Sequence, residues 1–135
     1  MLTRSSLALV IALAACGGSS SDSSSDAAPP PDTPAPSVMA VTCPATVPLT
    51  VDAPDSELRF VFTPATPTIA LGDIVKFTTH SEHDVVPDPR ATQTDDGLNV
   101  DFGTIKCLKF TRTGTFGFKC APHGFTGAIT VQLTN

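Results

Sequence analysis

Residues 114–134 read GTFGFKCAPHGFTGAITVQLT. Gly114 opens a turn, after which Phe116, Phe118 and Cys120 alternate with Thr115, Gly117 and Lys119. That two-residue period predicts a strand with one apolar face. Ala121 and Pro122 then bend the chain, and His123 follows Cys120 by three positions. A second alternation, Ile129, Val131 and Leu133, predicts a returning strand. The pair forms a hairpin whose loop presents a thiol and an imidazole side by side.

Two donors do not make a metal site, and a third has to come from elsewhere in the chain. His83, in SEHDVV at 81–86, is the candidate; His80, three residues earlier, is its rival. Two histidines and one cysteine suit the trigonal arrangement of type 1 copper, in which any further ligand is weak and distant. A bare Cys-x-x-His is common in exported proteins, and its weight here comes from the surrounding residues. GDIVKF at 72–77, HDVV at 83–86 and GTFGFKCAPHGFTGAITV at 114–131 together resemble the cupredoxins, the small blue copper proteins. The resemblance is closest to the plastocyanin and pseudoazurin branch and covers roughly residues 55–135.

That resemblance implies His83, Cys120 and His123 as the three strong copper ligands, and it prefers His83 over His80. It places Asp84 where the family usually has an asparagine whose side chain bridges the two ligand loops. It puts the family's axial methionine eight residues after the cysteine, where this chain has Ala128. Beyond the leader the chain has one methionine, Met39, far from the loop. The expectation is therefore three-coordinate copper, or a water or the Glu82 carbonyl as a remote fourth ligand. Phe116 and Phe118 are expected to shield the sulfur, and Phe125 to cover the gap. The ring of His123 is expected to reach the surface as the electron port, in an apolar patch with Gly124 and Phe125. Alternatives stay open: a copper-delivery lipoprotein without redox work, or a metal-free interaction domain in which Cys120 is an ordinary buried thiol.

The N-terminal end reads as an address. Residues 1–15 carry Arg4 and then an apolar run, Leu7 to Ala15, too short to span a bilayer. Leu13-Ala14-Ala15-Cys16 followed by Gly17 is similar to the bacterial lipoprotein cleavage box, which makes Cys16 the lipidated residue of the mature chain. The alternative is an ordinary signal peptide. Residues 16–37 are serine- and then proline-rich and predict a tether, spanning about 25 Å as a coil and about 65 Å stretched. The folded domain is expected over 38–135. With Cys16 assigned to lipid and Cys120 to metal, Cys43 and Cys107 remain of the four cysteines. In an oxidising compartment a disulfide between them is the natural expectation, against two free thiols.

Within the domain, VMAVTC, VPLTVD, ELRFVF and IVKFTT predict short strands separated by proline-containing turns. Leu58, Phe60 and Phe62 are expected on one apolar face, as are Val75 and Phe77. Residues 81–99 read as loop, and 99–110 as strand. No long amphipathic pattern occurs, so the fold class is all-β, a two-sheet Greek-key β-sandwich. The net charge of −5, with the acidic residues dispersed, argues against a nucleic-acid interface. Three histidines are too few for a multicopper oxidase or nitrite reductase, and no nucleophilic triad or paired-carboxylate site stands out, so no enzymatic activity is expected. The resemblance implies a monomeric carrier of single electrons, exported to the periplasm or outer membrane. Its partner would be a redox protein such as a cytochrome or an oxidase, and the membrane would hold it through the N-terminal lipid alone.

Overall fold

The computed structural model describes residues 35–54 and 60–134. The leader, Cys16 and nearly all of the tether lie outside the described residues. Eight strands form in order: β1 (Val38–Val41), β2 (Leu49–Ala53), β3 (Thr68–Ala70), β4 (Ile74–Thr79), β5 (Val86–Pro87), β6 (Ile105–Phe110), β7 (Gly114–Lys119) and β8 (Thr126–Gln132). They make two four-stranded sheets, β1-β6-β4-β2 and β3-β8-β7-β5. Parallel pairing joins β2 to β4 and β3 to β8, and the other neighbours are antiparallel. No helix occurs among the described residues, and the architecture is an all-β two-sheet sandwich.

Alternation along the strands accounts for the core. Val75 and Phe77 on β4, and Leu108 and Phe110 on β6, are buried from one sheet. Phe116 and Phe118 on β7, with Ile129 and Val131 on β8, are buried from the other. Aromatic edges meet within this core: Phe77 packs on Phe118 with ring centroids 5.5 Å apart at 88°, and Phe110 on Phe116 at 5.7 Å and 62°. These are the edge-to-face geometries that the ring quadrupole favours.

Several sequence expectations shift. Phe60–Phe62 is not part of a strand; Thr63 alone bridges Asp52, with backbone hydrogen bonds of 2.9 and 2.8 Å. Leu58 lies outside the described residues, and the common face expected for the other two fails, because Phe62 is buried while Phe60 is 49% exposed. Prolines at 64 and 67 limit pairing directly after this segment. Leu133 is exposed because β8 ends at Gln132. Strand structure begins at Ile105 rather than at 99, although Val100 makes an isolated bridge to Val85. The 81–99 stretch is largely irregular but still supplies Val85 and Leu98 to the core. At the other end Ser37, the last residue of the expected tether, is buried; its N–H donates to Asp95 Oδ2 at 2.8 Å and its carbonyl accepts from Thr111 N at 2.8 Å.

Cys43 and Cys107 are joined by a disulfide, with Cα atoms 5.1 Å apart across a sequence separation of 64. Cys107 lies on β6 opposite Val41 of β1, so the bond pins the segment leaving β1 to the strand beside it.

Candidate metal centre

Three side chains converge at one end of the sandwich. β7 ends at Lys119, and Cys120 follows immediately. The chain then turns through Ala121, Pro122 and His123 and re-enters the sheet at Thr126, which pairs with Lys119. Two backbone hydrogen bonds close the loop: Gly124 N donates to Cys120 O at 2.9 Å, and Cys120 N to Phe125 O at 2.9 Å. Gly124 sits at φ 72°, in the left-handed region that glycine adopts without a Cβ penalty.

His83 comes from the turn after β4, where its N–H donates to His80 O at 3.0 Å. The next residue ties the two ligand segments together. Asp84 is buried, and its Oδ1 accepts from Ala121 N at 2.7 Å. The bridging expected of this position is thus made here by a carboxylate.

The donor atoms face one another. Cys120 Sγ lies 3.7 Å from His83 Nδ1 and 3.6 Å from His123 Nδ1, and the three donor atoms all lie within 4.8 Å of one another. Cys120 and His83 are buried, whereas His123 is exposed. Burial pushes the Cys120 thiol above its ordinary range, and the Asp84 carboxylate adds to the rise, against opposing backbone N–H groups of Asp84 and His123. A metal-free thiol of this kind keeps its proton at neutral pH, and an ion that binds the sulfur must displace it. One sulfur and two imidazole nitrogens form a soft-to-borderline donor set, which fits copper or zinc and not calcium or magnesium.

The rival histidine lies elsewhere. His80 Nε2 is 3.5 Å from Asp52 Oδ1, with both side chains about two-fifths exposed, and it is not part of the cluster. The eighth position after the cysteine differs from its expected setting. Ala128 pairs with Gly117 inside the β7–β8 ladder, and it is the flanking Gly127 and Ile129 that are buried. Position 128 therefore lies on the other face of the strand from Ile129, and its alanine has no donor atom to offer.

Rings surround the cluster instead. Phe125 meets His83 edge-on at 5.2 Å and is held from behind by Phe62 at 4.6 Å. Phe125 is thus half-buried against the core, and the exposed aromatic beside His123 is Phe60, stacked on its ring at 4.6 Å and 17°. Sequence reasoning missed this role. Phe60 alternates with Phe62 as core residues do, and no local pattern separates a side chain that turns inward from one that turns onto a ligand.

The sandwich is cupredoxin-like in fold, and its donor set is two histidines and a cysteine. No protein-family profile matches it. Its sequence is similar to a chloroplastic plastocyanin of Tetradesmus obliquus, 36% identical over 86 residues, which cover 53% of this chain and 59% of that protein. The chain thus spans about three-fifths of that relative's length. Its fold is similar to a reduced Cu(I) form of an amicyanin variant, with a TM-score of 0.54 at 17% identity, covering 71% of this chain and 99% of that one. An oxidised plastocyanin from Dryopteris crassirhizoma is 25% identical with a TM-score of 0.49, covering 62% and 99%.

Proposed function

We propose that this protein binds one copper ion through His83, Cys120 and His123 and carries single electrons between redox partners. The observation that carries this reading is the convergence of the Cys120 Sγ and the two histidine nitrogens, within 4.8 Å of one another, in a cupredoxin-like sandwich. Copper held there would supply a centre that gains and loses one electron. The chain supplies the rest. Its ligands come from two segments tied by the Asp84–Ala121 hydrogen bond, so the donors are set before an ion arrives and have little to rearrange when its charge changes. Phe125, edge-on to the buried His83, helps to keep water from the buried sulfur. His123 is exposed and gives electrons a path to a partner, through the small transient interface that such encounters use.

The wider setting belongs to the same proposal. Cys16 carries lipid, residues 16–37 tether the domain, and the protein works as a monomer on the outer side of the cytoplasmic membrane or at the outer membrane. Its partner is a redox protein such as a cytochrome or an oxidase.

An absorption spectrum of the copper-reconstituted chain tests the central point. An intense visible band from sulfur-to-copper charge transfer, bleached by reductant and restored by oxidant, is the expected result. Stoichiometric Cu(I) binding with no stable Cu(II) form would instead make the protein a copper-delivery module. No binding at all would leave a metal-free sandwich.

A further inference from the structure

We propose that Phe60 is a latch on the centre: its ring, stacked on His123, sets how fast an ion or a small reagent reaches Cys120. For ions this rests on the copper-site reading above; for reagents it rests on the geometry alone. Cys120 is 0% and His83 2% exposed, so solvent meets the cluster at His123. The ring of that exposed histidine carries an aromatic neighbour. Phe60 lies 4.6 Å from it and nearly parallel, edge-on to His83 at 6.0 Å, and 6.4 Å from Phe125.

Of these rings, Phe125 is wedged on Phe62 and packed against the core, whereas Phe60 is 49% exposed and belongs to no strand. Phe60 is therefore the member free to leave. When it leaves, His123 loses its stacking partner and the way to the sulfur opens. An aromatic pair of this kind is worth a factor of about two to about ten in such an opening equilibrium.

The test uses the full chain at one fixed pH. The metal-free protein is treated with iodoacetamide, and labelling of Cys120 is followed by peptide mass spectrometry. Phe60→Ala should label about tenfold faster than wild type. Phe60→Tyr, which keeps the ring, should stay within about twofold, and Phe60→Leu, apolar but unable to stack, should follow the alanine variant. If Phe60→Ala melts too low to compare, the leucine and tyrosine variants decide. Equal labelling across the series, or leucine matching wild type, overturns the latch. The same variants loaded with Co(II) and challenged with EDTA should lose the ion in the same order; equal loss rates overturn the latch for ions. A wild-type chain that takes up neither Co(II) nor copper overturns the metal-site reading, while the labelling series still decides the role of Phe60.

Discussion

Cys120 combines the chemistry of the site with its cost. A sulfur with no solvent exposure holds its proton above the ordinary thiol range, so binding an ion must release that proton. As pH falls the thiol is more fully protonated and the proton competes harder; as pH rises through the raised value the competition ends. Between pH 7 and 8 the affinity for Co(II) should therefore rise about tenfold, measured by competition with a chelator of known strength. An affinity flat across that range would mean the thiol is already ionised. At this scale the cysteine and the second histidine were legible from spacing, since both sit on one tight loop. The choice of His83 over His80 came from the resemblance and not from spacing. His80 follows β4 directly and His83 comes three residues later, and only the turn 80–83 sends one inward and leaves the other near Asp52.

The hairpin β7–β8 is the element that aims the ligands, and its rigidity depends on close packing at one glycine. Phe118 stacks over Gly127, its partner across the ladder, and a Cβ added at Gly127 would lie 2.5 Å from the ring and 3.0 Å from the Ala65 carbonyl. Phe118 is held on its other edges by Phe62 and Phe77, so it has little room to yield. Gly127→Ala should cost about 1–3 kcal/mol of stability by overpacking, read from denaturant unfolding, and should disturb the spectrum of the copper-loaded site. A neutral substitution would show that Phe118 has a second place to go. The strands of this hairpin were plain from their two-residue period. The 60–62 segment had the same period and is not a strand, because alternation reports which side chains are apolar and not whether a neighbouring backbone is available to pair.

For the molecule as a whole, the Cys43–Cys107 bond closes a loop across 64 positions. Constraining a loop of that length in the unfolded chain stabilises the fold by about 4 kcal/mol in the chain-entropy account. A chain with both cysteines replaced by alanine should lose about 2–5 kcal/mol in equilibrium unfolding, yet still bind metal at low temperature, because neither cysteine belongs to the cluster. A loss well under 1 kcal/mol would show that β1 pairing alone secures this edge. The all-β class, the strand-rich core and the placing of Cys120 and His123 as donors on one loop were determined by the sequence itself, because alternation and donor chemistry are local properties that any folded context must respect. Which histidine joins the cysteine, where position 128 points and what stacks on His123 were decided only by the tertiary structure. Each depends on how separate segments pass one another in space, and no run of neighbouring residues encodes that.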